Sequence, residues 1–130
     1  LELRGVEVVT GRAEELARRD DLRDAFDVAT ARALGPLPVV LELTLPFCRE
    51  GGVVLAQRAA EAEGEAAAAR GVAEELGGRL RGVEWARNDE RGAVVVVDKI
   101  APTPSRYPRR TGIPAKRPLG SNAAPVGRGE

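Results

Sequence analysis

Arg32 is the first residue of the chain whose type and position could do chemistry. It follows the apolar run 26–31, which only Asp27 interrupts, and it precedes Gly35-Pro36. A short apolar run bounded by turn residues is typical of a buried strand in a parallel sheet. Ligands of open α/β sheets bind at the carboxyl ends of such strands. Arg32 would lie at such an end, although its spacing alone favours a solvated turn residue.

A second candidate site lies at Gly11-Arg12-Ala13-Glu14-Glu15, where a predicted strand ends and a predicted helix begins. The first backbone N–H groups of a helix have no partner within it, and here a carboxylate lies beside them. A nucleoside could use both, with a backbone donor for a ring nitrogen and the acid for an amino group or sugar hydroxyl. Ordinary helix capping is the simpler interpretation of the pattern taken alone.

A third candidate is the proline-rich segment 102–119, in which basic residues surround one aromatic. The basic side chains could neutralise phosphates, and Tyr107 could stack on a base. A solvated basic tail is the alternative, but Ile113 and Leu119 would be unusual in one, so we expect a docked segment that contacts RNA. The predicted RNA-binding residues are Arg106, Tyr107, Arg109, Arg110, Lys116 and Arg117.

Composition excludes several kinds of site. The chain has no histidine, which excludes Ser-His and Cys-His nucleophile pairs. Its one cysteine, Cys48, cannot form an internal disulfide, and with no histidine a metal site is not expected. A reducing, cytoplasmic location follows, and no run is long enough to cross a membrane. Cys48 itself is best interpreted as a small semi-buried hydrophobe.

Charge is distributed unevenly along a chain of zero formal net charge. Residues 99–130 hold seven basic groups and one acid, a net of +6, so the remainder carries −6. This asymmetry points to a polyanionic partner at the basic end.

The pattern of the remaining residues predicts an α/β domain. We expect a hairpin to close it and Gly77-Gly78 to end its longest helix. A strand is the alternative for the apolar helix at 37–45. The predicted elements are strands at 3–10, 26–31 and 53–56, helices at 13–19, 37–45 and 59–76, and hairpin strands at 83–87 and 93–97.

Three parts follow from this division: an α/β domain at 1–100, a docked basic segment at 101–119, and a disordered tail at 120–130. The prolines of the basic segment are expected to prevent regular structure there. The 130-residue chain has no methionine and opens inside an apolar alternation, which indicates either a processed protein or a fragment, and we favour a fragment of a longer protein.

Four motifs together resemble the bacterial small-subunit ribosomal RNA methyltransferase G family, also called the glucose-inhibited division B family. They are G-R-A-E-E at 11–15, F-D-V-x-T-A-R-A at 26–33, G-G-x-x-L-A at 51–56, and P-T-P-x-x-Y-P-R-R-x-G-I-P-x-K-x-P-L at 102–119. The resemblance covers residues 1 to 119.

This resemblance implies a partial class I (Rossmann-like) methyltransferase fold, S-adenosylmethionine as donor and guanine N7 of 16S rRNA as acceptor. It implies donor contacts at Ala13, Glu14 and Arg32, and a monomer at full length with neither a metal nor a membrane partner. Guanine N7 carries a lone pair and no proton, so no general base is needed and the catalytic residue is left open. Arg32 could bind the donor's carboxylate or a substrate oxygen.

The chain departs from the family pattern in two places. The Gly-rich loop that cradles the donor would precede Leu1, and members usually have L-A-L-K-G where this chain has Leu55-Ala56-Gln57-Arg58-Ala59. Arginine and lysine are not equivalent, which leaves the role of Arg58 open.

The resemblance also implies that two strands expected between segments 6–10 and 26–31 are missing, which would expose the edge of the central strand. We therefore expect the isolated chain to be marginally stable, to aggregate and not to bind the donor. The alternative function is an inactive remnant or a non-enzymatic RNA-binding module.

Overall fold

A computed structural model describes residues 4–32, 35–87 and 92–120 of the chain. Helices and strands are interspersed along its first hundred residues, as in an α/β domain that closes with a hairpin. They are α1 (Ala13–Leu16), β1 (Phe26–Arg32), α2 (Leu37–Thr44), a 3₁₀ turn (Leu45–Phe47), β2 (Cys48–Arg58), α3 (Ala62–Ala68), α4 (Arg70–Glu75), β3 (Gly78–Trp85), β4 (Ala93–Lys99) and α5 (Ile113–Lys116).

The four strands form one mixed sheet in the order β1-β2-β4-β3. Strand β1 pairs with β2 in parallel, whereas β4 runs antiparallel to both β2 and β3. Strands β1, β2 and β3 therefore point the same way, and their carboxyl ends meet at one edge, which we call the carboxyl edge. This mixed α/β architecture is consistent with the predicted methyltransferase fold.

Helices cover one face of the sheet. Val54, Ala56, Val95 and Val97 point to that face and are buried in a cluster with side chains of α2, α3 and α4. Residues of the opposite face are more open, as Val28 shows with half of its side chain exposed. The core is aliphatic, as the low aromatic content predicts.

Strand β1 lies at the edge of the sheet and most of its residues are exposed, which agrees with the expected open edge. The predicted strand at 3–10 was wrong, because residues 4–10 contain no strand and Val8 is 85% exposed. Alternation of apolar and polar residues makes a strand only where a neighbouring strand accepts its hydrogen bonds, and these residues have none.

The helix predicted over 59–76 forms as two shorter helices, because Ala69 departs from helical geometry with φ −93° and ψ 2°. Gly64 and Gly71 lower helix propensity on either side of that break. The predicted stop at Gly77 is confirmed by its φ of +93°, and a Cβ there would lie 2.5 Å from the Ala101 carbonyl oxygen.

The predicted hairpin is confirmed, but β3 begins at Gly78 rather than at residue 83. A register shift between Leu80 and Gly82 interrupts the alternation of apolar and polar residues along β3, so the sequence pattern does not show where this strand begins. The apolar segment after Pro36 forms helix α2, and its strand alternative was wrong.

The basic segment contains one short helix, α5, which corrects the expectation that prolines exclude regular structure there. Pro114 lies in the first turn of α5, where its missing N–H removes no helical hydrogen bond. The predicted disorder beyond residue 120 lies outside the described residues. Within the described ranges, no helix is both long enough and apolar enough to cross a membrane.

Candidate functional site

A cleft of about 560 Å³ opens at the carboxyl edge, where β1 and β2 end. We call it the main cleft. Two arginines and two glutamates give it a polar, charged lining. Its residues are Arg32, Gly35, Gln57, Arg58, Ala59, Glu61, Glu65 and Gly92.

Arg32 enters this cleft from the last position of β1, directly opposite Gln57 of β2. It also lines a second cleft of about 410 Å³ that extends over Thr30 and Leu55. Its guanidinium is exposed and forms no ion pair or side-chain hydrogen bond with any residue in the described ranges. Arg32 can therefore receive an anionic or carbonyl group of a ligand.

Arg58 has a different environment from Arg32, although both line the main cleft. Its Nε and Nη2 atoms donate to the two carboxylate oxygens of Glu65 at 3.0 and 2.7 Å. Its side chain is only 11% exposed. The paired carboxylate offsets the positive charge of Arg58 and fixes the first turn of α3 beside the end of β2.

Ala13 lines a third cleft of about 350 Å³, which runs beside β1 and includes Thr30 and Ala31. The second cleft shares those two residues, so Ala13 and Arg32 border adjoining spaces along β1 rather than one common cleft.

Glu14 points away from these clefts and is only 5% exposed. Its Oε2 atom accepts the Gly112 backbone N–H at 3.0 Å and lies 3.6 Å from Arg12 Nη2. Burial raises the pKa of Glu14, but the hydrogen bond from Gly112 and the charge of Arg12 together bring that pKa below its ordinary value. The carboxylate is therefore ionised and already occupied.

The basic segment packs against the body through backbone carbonyls. Arg18 donates to the carbonyl oxygens of Ser105, Arg106 and Pro108, and Arg23 donates to those of Thr103 and Pro104. Arg18 lies outside α1, which ends at Leu16 rather than at residue 19 as predicted.

Two residues that we assigned to RNA contact are internal to this packing. Tyr107 is 4% exposed and its hydroxyl donates to Glu75, so its position does not support base stacking. Arg109 binds the fully buried Glu42 through its side chain: Nε donates to Oε2 at 3.0 Å and to Oε1 at 3.3 Å, and Nη2 donates to Oε1 at 2.8 Å. This pairing raises the pKa of Arg109, so its charge is fixed and directed inward.

Four of the predicted RNA-binding residues keep exposed side chains, and none forms an ion pair with an acid in the described part of the chain. They are Arg106, Arg110, Lys116 and Arg117, and we call them the basic surface. Lys99, which the charge count included in the tail, is buried and donates to Asp24 and to the carbonyls of Leu45 and Cys48. The segment's surface charge is thus smaller than its sequence indicates.

Sequence reasoning missed the place of Gln57 and Trp85 at the carboxyl edge. Trp85 ends β3, and its indole N–H donates to Glu63 at 2.8 Å while 39% of the residue stays exposed. The available signal was a single tryptophan directly before a polar turn. Among the described residues, no group of three or more potential ligands could hold a metal ion.

The chain is similar to proteins named ribosomal RNA small subunit methyltransferase G. It is 46% identical over 121 residues to the one from Roseiflexus castenholzii, covering 92% of this chain and 52% of that relative. The Deinococcus deserti protein is 44% identical over 123 residues, covering 92% of this chain and 50% of that relative.

This chain therefore spans about half the length of the curated relatives it matches. The family model described as rRNA small subunit methyltransferase G matches residues 1–92, which include Ala13, Glu14 and Arg32. On these grounds, the chain belongs to the rRNA small subunit methyltransferase G family.

Proposed function

We propose that this chain is the C-terminal part of an S-adenosylmethionine-dependent methyltransferase that modifies guanine N7 of 16S rRNA. The observation that carries the proposal is the position of Arg32 at the carboxyl end of β1, exposed in a polar cleft. Ligand sites of α/β sheets lie at this edge. The names of the relatives support rRNA of the small subunit as the substrate class.

The residues present fit the donor at two of the three predicted positions. Arg32 offers a free guanidinium for a carboxylate, and Ala13 borders an open cleft beside β1. The carboxylate of Glu14 is occupied by Gly112, so we assign Glu14 the role of holding the Ala13 segment in place. When bound, the donor would supply a sulfonium methyl group.

The proposed methyl transfer needs little acid or base catalysis from side chains. Guanine N7 has a lone pair and no proton to remove, so alignment of the reactants supplies the rate acceleration. Glu65 is committed to Arg58, which leaves it poorly placed as a base. Arg32 and the segment around Ala13 then act by binding and orientation.

The basic surface is the proposed RNA contact, now without Tyr107 and Arg109. Arg106, Arg110, Lys116 and Arg117 would neutralise phosphates and orient the RNA without reading its sequence. Arg110 directly precedes Thr111 and Gly112, which bind Glu15 and Glu14 of α1. Action on rRNA would place the protein in the cytoplasm.

The chain alone is proposed to be inactive. Its β1 edge is open, because no strand of the described residues pairs with the outer side of β1, and the clefts that Arg32 and Ala13 line lie beside that strand. The exposed basic surface supports RNA binding without catalysis as the function of the chain by itself.

A methyl-transfer assay tests the proposal. The chain would be joined behind the upstream half of the Roseiflexus castenholzii relative and incubated with small ribosomal subunits and radiolabelled donor. We expect transfer to guanine N7, and we expect Arg32→Ala to lower it about tenfold to a hundredfold, as for loss of a charged hydrogen-bonding group.

Arg70→Ala is the matched control, because Arg70 is an exposed arginine at the start of α4 that lines none of the clefts described above. Transfer unaffected by Arg32→Ala would remove Arg32 from the site. Absence of methyl transfer by a folded, full-length protein would contradict the assigned activity.

A further inference from the structure

Residues 109–112 of the basic segment, which we call the linking turn, contact two helices of the body. The Arg109 side chain binds Glu42 of α2, and the Arg109 backbone N–H also donates to Glu42 Oε2 at 2.8 Å. Gly112 N–H donates to Glu14 Oε2 of α1 at 3.0 Å. Both carboxylates are buried, so these charge-assisted hydrogen bonds hold the linking turn against α1 and α2.

The two helices line the same cleft. Ala13 of α1 and Leu43 of α2 both belong to the third cleft, which runs beside β1. Ala13 directly precedes Glu14, and Leu43 directly follows Glu42. Because the linking turn binds the acids next to both lining residues, its position determines where the two helices border the cleft.

Helix α1 depends on such contacts because it has little stability of its own. It is four residues long, its N-cap residue Arg12 provides no capping side-chain hydrogen bond, and it follows the exposed residues 4–10. A single helical turn is not stable in isolation. The linking turn holds α1 a second time at Glu15, whose Oε2 accepts a hydrogen bond from Thr111 Oγ1 at 2.9 Å.

Arg110 lies within the linking turn and also belongs to the basic surface. Its side chain is exposed and forms no ion pair or side-chain hydrogen bond with any residue in the described ranges. Its neighbours Arg109 and Thr111 contact Glu42 and Glu15. An RNA phosphate bound by Arg110 would therefore restrain the backbone between the contact to α2 and the contacts to α1.

We propose that the linking turn couples RNA binding to donor binding. A phosphate held by Arg110 orders the turn, and the ordered turn keeps α1 and α2 where the third cleft can accept the donor. Thr111 and Gly112 are then positioning residues, because they act through α1 and contact neither ligand. This inference rests on the proposed function and connects its two binding sites.

The coupling has a thermodynamic basis. When one ligand orders a segment, a second ligand that needs the same order loses less conformational entropy on binding. The coupling is reciprocal, so the factor by which RNA raises donor affinity equals the factor by which the donor raises RNA affinity. A turn that only stabilised the fold would change the free energy of unfolding without producing this factor.

Hydrogen exchange of the chain tests whether RNA orders α1. The backbone N–H groups of Leu16 and Ala17 each make a helical hydrogen bond of 2.9 Å, so their exchange reports on α1. A saturating concentration of short single-stranded RNA should slow their exchange about fivefold or more, the low end of couplings between sites. Arg110→Ala should remove this protection at RNA concentrations that still saturate binding. Exchange unchanged by saturating RNA would overturn the proposal.

Calorimetry measures the coupling itself in the joined, full-length protein described above. RNA should lower the Kd for S-adenosylmethionine about fivefold or more, and the donor should lower the Kd for RNA by the same factor. Thr111→Val, which replaces the hydroxyl by a methyl group, should reduce this factor, and Thr111→Ser should restore it. Equal donor affinity with and without RNA would overturn the proposal, as would a Thr111→Val variant with the parent's full coupling.

A second variant acts on the buried contact. Glu14→Leu removes the acceptor of the Gly112 N–H and should abolish the coupling. If this variant does not fold by circular dichroism, the two Thr111 variants still decide, because Thr111 is exposed. Lys116→Ala is the control, since Lys116 belongs to the basic surface but lies in α5, outside the linking turn. It should weaken RNA binding and keep the coupling factor of the parent.

These binding measurements do not depend on catalysis, so the two proposals can fail separately. Methyl transfer without coupling would contradict the role of the linking turn alone. Coupling without methyl transfer would contradict only the assigned activity.

Discussion

Charged side chains in this protein divide into those whose partners lie inside the fold and those that are left for a ligand. Glu14, Glu42 and Lys99 are buried, and each has its charge or its hydrogen bonds satisfied by the fold. Arg32 is exposed and has no such partner among the described residues. Buried charges that are fully paired stabilise geometry, whereas an unpaired arginine in a cleft indicates a binding site.

The first prediction concerns Glu14 and acid stability. Its pKa is lowered in the fold, so its contribution to stability is present above the ordinary value of 4.5 and is lost as the pH falls through the folded-state pKa. Glu14→Gln should lower stability at neutral pH by roughly 1–3 kcal/mol. It should also make the stability less pH-dependent between about pH 5 and about pH 3.

Urea unfolding across that pH range measures both effects. Glu74→Gln, which changes an exposed glutamate of α4, is the control and should retain the parent's pH dependence. A Glu14→Gln variant with the parent's full acid sensitivity would show that Gly112 does not stabilise the carboxylate.

Sequence reasoning recognised single residues where chain order alone determines their position. Arg32 is the last residue of a strand, so its place at the carboxyl edge could be predicted from residues 26–36. The structure does not support the base-stacking assignment to Tyr107, because the burial of this residue depends on packing between α4 and a segment 32 residues later. Trp85 reaches the carboxyl edge beside the clefts only through the order β1-β2-β4-β3, and no local pattern encodes that order.

At the scale of elements, the main role of the basic segment is to link helices of the body to one another. It holds α1 through Glu14 and Glu15, α2 through Glu42, and α4 through Tyr107 and Glu75. The prolines and arginines that indicated an RNA-binding tail thus also attach the segment to the body. Extended backbone exposes carbonyls to Arg18 and Arg23, and only some of the basic side chains face outward.

The second prediction is a strong coupling between Arg109 and Glu42. Arg109→Met should destabilise the protein by about 3–5 kcal/mol, because it leaves the buried Glu42 carboxylate without its charged partner. Adding Glu42→Leu should recover most of that loss, since the double variant buries no unpaired charge.

A double-mutant cycle from chemical denaturation measures this coupling. Arg81 and Asp98 supply the comparison, because their pair, closed by hydrogen bonds of 3.1 and 2.5 Å, has the arginine side chain 63% exposed. We expect at most about 1 kcal/mol of coupling there. Equal coupling in the two pairs would show that burial does not determine the strength of the Arg109 contact.

The third prediction concerns the basic surface and salt. Each phosphate contact of single-stranded RNA contributes a slope of about −0.7 to the dependence of log affinity on log salt concentration. Replacing Arg110 or Lys116 by alanine should make the slope less steep by about that amount.

Filter binding over a salt series measures the slope. Arg109→Lys serves as the contrast, because the Arg109 side chain points toward Glu42 rather than solvent, and its slope should match the parent's. An unchanged slope after replacement of both Arg110 and Lys116 would remove the basic surface from the RNA contact.

Considered whole, the protein is a four-stranded sheet with helices on one face and an open strand at one edge. Phe26 and Val28 of that edge strand are exposed, and so are Val6 and Val8 in the segment before α1. Exposed apolar edges pair with other chains unless something blocks them. The buried core is also small, which limits the free energy of unfolding that a chain of this size can reach.

The fourth prediction is that the isolated chain self-associates. Sedimentation velocity should show species larger than a monomer at micromolar concentration, and Val28→Lys, which places a charge on β1, should reduce them. Calorimetry should detect no micromolar affinity for S-adenosylmethionine. A monomeric chain with a cooperative thermal transition would contradict the first expectation, and tight donor binding would contradict the second.

The hydrogen bond between Gly112 and Glu14 spans 98 residues of sequence. During synthesis the α1 segment leaves the ribosome long before the segment that fastens it. Ala13, which we propose lies on the donor side, therefore cannot be held in its final position until translation of the chain has passed residue 112. Loss of the residues from 112 onward, by a premature stop or by proteolysis, would release α1 from this contact. The residues around Gly112 therefore decide whether the α1 segment, made 98 residues earlier, is held in place.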